Sequence, residues 1–158
     1  NFHALIIGTG SEAEKLKSLI KENNSSSYFT FVDRMSHNQI FEAHKHSDIY
    51  VSMNYLGNLS NSNLEAIQAN SCIVIPFEQK ENGIDVLTHK LLGNSVMSAP
   101  IKNPLALSRI INELICSDEK RVQMSNLVKV KKQDFLFNWD KRINNEIRLL
   151  NSVMSKNQ

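Results

Sequence analysis

The sequence predicts an α/β fold, a parallel sheet covered by helices on both faces, followed by a helical C-terminal tail. Three observations carry this. Short apolar runs alternate with stretches of helical spacing about five times, over short connections. One run, Cys72–Phe77 (CIVIPF), is apolar throughout, as befits a strand buried on both faces. Finally, 158 residues with 41% hydrophobic and 22% charged side chains make an ordinary globular composition, which excludes wholesale disorder.

Phe2–Ile7 is an apolar run that stops at Gly8-Thr9-Gly10, a strand ending in a tight loop. Ser11 is the expected N-cap of the next helix, with Glu12 and Glu14 in its first turn. Ala13, Leu16, Leu19 and Ile20 then recur at helical spacing to about Glu22, and Asn23–Ser27 is a polar loop. Tyr28–Val32 (YFTFV) reads as the second strand. Ser36 caps a helix carrying Ile40, Phe41 and Ala43, and Asp48–Met53 is the third strand. An Asn-, Ser- and Gly-rich loop spans Tyr55–Asn61, before a short helix through Leu64, Ala66, Ile67 and Ala69. Cys72–Phe77 is the fourth strand, Val86–Lys90 a short helix and Ser95–Ala99 a fifth strand. From Pro104 onward the chain is expected to be helical. Leu105, Leu107, Ile110, Ile111 and Leu114 form one stripe, and Ile143, Ile147, Leu150 and Val153 another.

Charge and cysteine content narrow the classes. The net charge of +2 argues for neither nucleic acid nor membrane, although residues 118–158 carry nine basic and five acidic side chains. Cys72 and Cys116 read as two thiols in a reducing cytoplasm rather than a disulfide framework. Asn23, Asn24 and Asn58 head N-x-Ser triplets, read as chance matches in an Asn- and Ser-rich chain without a visible signal peptide. No apolar stretch approaches the roughly 18 residues that span a bilayer. The chain begins at Asn1, without a Met, and runs directly into a strand, so the expectation is that either something was removed or it is a piece of a longer protein.

Two motifs bear on ligands. Gly8-Thr9-Gly10-Ser11-Glu12-Ala13 matches the dinucleotide fingerprint G-x-G-x-x-A, and Asp33 closes the second strand where an acid would hold a ribose. The same glycines serve equally to turn a strand into a helix. Ser60-Asn61-Ser62-Asn63-Leu64-Glu65-Ala66 carries more information. Ser60 or Asn61 caps a helix at the carboxyl end of the third strand, so the amides of Ser62, Asn63 and Leu64 are expected to face an anion. Glu65 either accepts hydrogen bonds from ribose hydroxyls or offsets the helix dipole.

The stretch Ser47–Pro76, SDIYVSMNYLGNLSNSNLEAIQANSCIVIP, resembles the donor-binding region of retaining glycosyltransferases of the GT-B superfamily, group 1, family four. This group contains sucrose and glycogen synthases and many bacterial polysaccharide transferases. IIGTGSEAEKLKSLI is similar to their Gly-x-Gly strand and helix, and FNWDKRINNEIRLL to their Trp-containing C-terminal helix. The resemblance implies one Rossmann-like half of a GT-B fold, with residues 1–135 binding a nucleotide-diphosphate sugar and residues 136–158 forming a C-terminal helix. It implies that Glu65 holds the ribose, that Ser62, Asn63 and Leu64 offer amides to the diphosphate, and that Gly8 and Gly10 let the backbone approach the same phosphates. Arg34 and Met35 would frame the base. The Glu that addresses the donor sugar in the family falls on Gly57, and Asn58 with Asn61 resembles the Asn-x-x-Asn variant of that loop. The Gly before the fourth strand is replaced by Asn70 or Ser71.

Family members open this domain with a further strand and helix bearing an Arg and a Lys, and precede it with an acceptor domain. Neither lies in this sequence, so the chain alone is expected to transfer nothing. The implied reaction moves a hexosyl group to a glycan or lipid-linked acceptor in polysaccharide biosynthesis. It uses no protein nucleophile, metal or cofactor, and no catalytic residue can be named. The expected partners are the nucleotide sugar and the acceptor domain, without nucleic acid. The expected setting is the cytoplasm, with the basic tail turned toward the acceptor domain or the inner membrane face. Two alternatives stay open: an NAD(P)-binding Rossmann domain of an oxidoreductase, and a non-catalytic nucleotide-sugar-binding module.

Other candidates have plainer roles. His44 and His46, two apart on a helix, point to different faces and cannot readily share a metal. His3, His37 and His89 read as surface or packing residues, and Lys129, Lys131 and Lys132 as a solvated helix face. Trp139, with Phe135 and Phe137, is expected to anchor the last helix in the core. Cys72 reads as core.

Overall fold

A computed structural model describes residues 2–54, 59–77 and 86–155. The chain divides into two compact units, Asn1–His46 and Ser47–Gln158. All its strands pair in parallel, two in the first unit and three in the second, among the described residues. The fold is Rossmann-like α/β, as the strand–helix alternation predicts.

In the first unit β1 (Ala4–Ile7) leads to α1 (Ala13–Glu22), a 3₁₀ turn (Ser26–Tyr28), β2 (Phe29–Val32) and α2 (His37–His46). Ala4 lies opposite Phe29 and Ile7 opposite Val32, and the Gly8 N–H extends the ladder to the Val32 carbonyl at 3.0 Å. Phe2 stacks on Tyr28 at 5.4 Å between ring centroids. Ser11 is not the cap of α1. Glu12 holds that position without a side-chain cap bond, and the Ala13 N–H donates to the Gly10 carbonyl at 3.1 Å. Ser36 does cap α2, in a reciprocal capping box. Its Oγ accepts from the Gln39 N–H at 3.4 Å, and its own N–H donates to Gln39 Oε1 at 2.8 Å. No described side chain of this unit is fully buried. A two-stranded sheet offers too little surface to enclose one.

The second unit holds β3 (Ile49–Val51), α3 (Asn61–Gln68), β4 (Cys72–Pro76), α4 (Val86–Leu92), β5 (Met97–Ala99), α5 (Pro104–Cys116), α6 (Asp118–Lys131) and α7 (Trp139–Met154). Its strand order is β3-β4-β5. Every residue of the central strand β4 is buried, as its unbroken apolar sequence requires. Pleating sends Ile73 and Ile75 to one face, where Ala66 and Ile67 of α3 meet Leu92, Val96 and Val128. Cys72 and Val74 face the other way, against Leu107, Ile110 and Leu114 of α5 and Met124 of α6. This sheet is therefore covered on both faces.

The segment after Pro104 is helical as expected, in three helices. Asn103, Ser117 and Asn138 each cap a new start by accepting the N–H of the residue three positions on, Ala106, Lys120 and Lys141. Arg121 donates to the Leu114 and Ile115 carbonyls and closes the end of α5. Two apolar assignments change. Leu105 is 70% exposed, since it sits two residues, about 200° of helix, before Leu107 on the inner face. Trp139 is also 70% exposed, and no residue of α7 is buried. Phe135 packs against the core, whereas Phe137 lies under the Lys141 ammonium, 4.4 Å from the ring centroid.

Candidate functional site

The N-terminus of α3 follows the carboxyl end of β3 and is capped. Ser60, with φ −64° and ψ 160°, is its N-cap. The Ser60 Oγ accepts from the Asn63 N–H at 3.2 Å, and the Ser60 carbonyl accepts from the Leu64 N–H at 3.0 Å. The expected set of outward amides shifts accordingly. Asn63 and Leu64 spend theirs on the cap, while the amides of Asn61 and Ser62 have no hydrogen-bond partner among the described residues. Both residues are exposed. Glu65 is half-buried and lies four residues after Asn61 and three after Ser62, on the same helix face.

Asn63 serves the scaffold. It is 2% exposed, and its Oδ1 accepts from the Tyr50 hydroxyl of β3 at 3.1 Å. Leu59, just before the cap, sits at φ 26° and donates its N–H to Thr88 Oγ1 of α4 at 2.9 Å. Neither Tyr50 nor Thr88 was singled out by sequence. The only signal for Thr88 is a hydroxyl inside the otherwise apolar turn Val86-Leu87-Thr88. Gly57 and Asn58 lie outside the described residues.

The other end of α3 explains the Gly replacement. Asn70 takes the left-handed position, φ 60°, with its N–H on the Ile67 carbonyl and the Ser71 N–H on the Ala66 carbonyl. Asn70 Oδ1 and Ser71 Oγ are buried with no partner among the described residues. Lys132 Nζ donates to the Gln68 carbonyl at 2.8 Å, a cation at a helix C-terminus rather than a solvated charge. Burial, helped by Lys129, lowers the pKa of that amine.

In the first unit, Gly8 has φ 138°, which only glycine adopts readily. At Gly10 an added Cβ would meet no atom within 4 Å, so the backbone there stands open. A shallow cleft runs beneath this loop, lined by Ile7, Thr9, Ala13 and Phe31. Glu12 and Glu14, paired with Lys15 and Lys17, put carboxylates at the start of α1. After β2, Asp33 and Arg34 are exposed and Met35 half-buried.

The remaining candidate histidines make local hydrogen bonds. His3 Nε2 lies 2.8 Å from Thr30 Oγ1, His46 Nδ1 2.8 Å from the Glu42 carbonyl, and His89 Nε2 2.9 Å from the Pro76 carbonyl. The described residues contain no group of three or more His, Cys, Asp or Glu able to hold a metal. Burial pushes the Cys72 thiol up to about 11, so it stays protonated and unreactive. No helix among the described residues is long and apolar enough to cross a membrane.

Comparison with known proteins adds the family. The model of the family "Glycosyl transferases group 1" matches residues 1–130. No curated protein matches the chain. Among solved structures, a sucrose-phosphate synthase from Thermosynechococcus elongatus superposes with a TM-score of 0.73 at 15% identity, over 96% of this chain. The chain spans 38% of that protein's length.

Proposed function

The chain belongs to the glycosyl transferases group 1 family, and on that premise we propose that it is the donor-binding domain of a retaining glycosyltransferase. Its ligand is a nucleotide-diphosphate sugar. The observation that supports this most is the face of α3 on which the unpartnered amides of Asn61 and Ser62 stand beside Glu65. Amides at a helix N-terminus suit a diphosphate, and a carboxylate one turn further suits ribose hydroxyls. Asn61, with Asn58, also addresses the donor sugar in place of the family Glu.

The mechanism is electrostatic. As the nucleoside diphosphate departs, the sugar gains oxocarbenium character and the phosphates gain charge. Preorganised amides stabilise that charge by about 3 kcal/mol. The acceptor, a glycan or a lipid-linked chain of polysaccharide synthesis, attacks from the leaving-group face. It is held by a second domain of the protein, so this chain alone binds donor without transferring a hexosyl group. The proposed setting is cytoplasmic, with the basic tail directed at the second domain or an anionic membrane face.

Calorimetric titration tests this. UDP or GDP should bind and NAD should not. Glu65→Ala should weaken that binding roughly 10- to 100-fold, the worth of charge-assisted hydrogen bonds of about 1.5–3 kcal/mol. Binding of NAD with neither UDP nor GDP overturns the proposal. Undiminished affinity in Glu65→Ala removes Glu65 from the site.

A further inference from the structure

The amides of Asn61 and Ser62 are useful only if their direction is fixed before a ligand arrives. Within the first turn of α3, Ser60 engages the later amides of Asn63 and Leu64. The turn is held from outside. Leu59 has φ 26°, in the left-handed region that a γ-branched side chain seldom occupies. Its N–H is gripped by Thr88 Oγ1 at 2.9 Å, across 29 positions of sequence. Thr88 is fully buried in α4, and the Leu59 side chain packs against the core cluster of Ile67 and Ile75. A threonine inside a helix ordinarily turns its hydroxyl to its own helix carbonyls or to water. Here the Oγ1 accepts from a strained residue one position before a helix cap.

We propose that Thr88 is a positioning residue for the diphosphate site, holding Leu59 so that Ser60 caps α3 and the Asn61 and Ser62 amides face the donor. This rests on the donor-binding function proposed above. Tyr50 braces the same turn from β3 through Asn63. The two ties differ in consequence. Tyr50 holds a residue whose amide is already capped, whereas Thr88 fixes the backbone entering the cap. Replacing the hydroxyl with a methyl keeps the volume but deprives the Leu59 N–H of its acceptor, letting φ return to the right-handed or extended region.

The test compares Thr88→Val, Thr88→Ser and Leu114→Ala in the intact chain, titrated with UDP, GDP and ADP well below each melting temperature. Leu114 belongs to the opposite core cluster and serves as a control for lost stability alone. Thr88→Val should bind about 10-fold more weakly and Thr88→Ser within about twofold of wild type, the effect expected of one lost hydrogen bond at a preorganised site. Leu114→Ala should melt earlier yet keep its affinity. Exchange of the Leu59 amide should accelerate in Thr88→Val and not in Leu114→Ala. Where Thr88→Val does not fold, Thr88→Ala is read the same way. Unchanged affinity in Thr88→Val, or an equal loss in Leu114→Ala, overturns the role of Thr88 while leaving donor binding intact. A wild-type chain that binds none of the three nucleotides overturns donor binding, and the role of Thr88 with it.

Discussion

A single residue, Asn70, shows how a family-level expectation becomes a physical statement. The position wants glycine because the chain leaves α3 through a left-handed turn, and asparagine tolerates that turn at a cost. Its Oδ1 is also buried without a partner among the described residues. Asn70→Gly should therefore raise the urea midpoint, by about 0.5–1 kcal/mol of stability, and Asn70→Ala should lower it by a similar amount. A loss of stability in Asn70→Gly would mean that the side chain contributes something its geometry does not suggest. Residue-scale roles were partly legible in the sequence. Ser60 as a cap, Glu65 in the first turns of α3 and the glycine vacancy could all be read from local spacing. Tyr50 and Thr88 could not, because each acts on a residue 13 or 29 positions away, a relation set by tertiary packing. Ser11 and Trp139 misled for the converse reason. Each looked like a cap or a core anchor by type, but Glu12 holds the cap position and Trp139 is largely exposed.

At the scale of elements, the strands were the most legible, since apolar runs of about five residues between turn signals allow little else. The long helical segment was the least. Its breaks depend on Asn103, Ser117 and Asn138 acting as caps, which a residue-type pattern alone does not separate from ordinary helix-surface polar positions. Helix α2 carries an element-scale prediction about pH. The Glu42 carboxylate accepts from Lys45 Nζ at 2.8 Å, and that hydrogen bond holds its pKa below the ordinary 4.5. The folded state thus prefers the ionised form. The stabilisation is complete above the unfolded value of 4.5 and is lost as pH falls through the lower, folded value. Carboxyl-resolved NMR titration should find Glu42 below 4.5 and find it returned to the ordinary range in Lys45→Ala. An equal value in both proteins would show that the pair does not persist in solution.

For the whole molecule, the sequence revealed the Rossmann-like class and the family, because both follow from the order of strands, helices and glycines. It did not reveal that burial concentrates in the second unit, where β4 is enclosed on both faces while no described side chain of the first unit is fully buried. That difference depends on how many strands each sheet contains. The candidate site accordingly stands on the better-packed unit, with its amides aimed by a helix whose inner residues, Ala66 and Ile67, are wholly inaccessible to solvent. Rigid support of that kind is what an electrostatic donor site requires. The central claim is that the N-terminus of α3 receives the diphosphate. Amide-resolved NMR during titration with UDP or GDP tests it most directly. The account predicts that the Asn61 and Ser62 amides move first and furthest, with Glu65 responding and the core residues Ile73 and Val74 unmoved. Saturable binding that leaves Asn61 and Ser62 unshifted would contradict it.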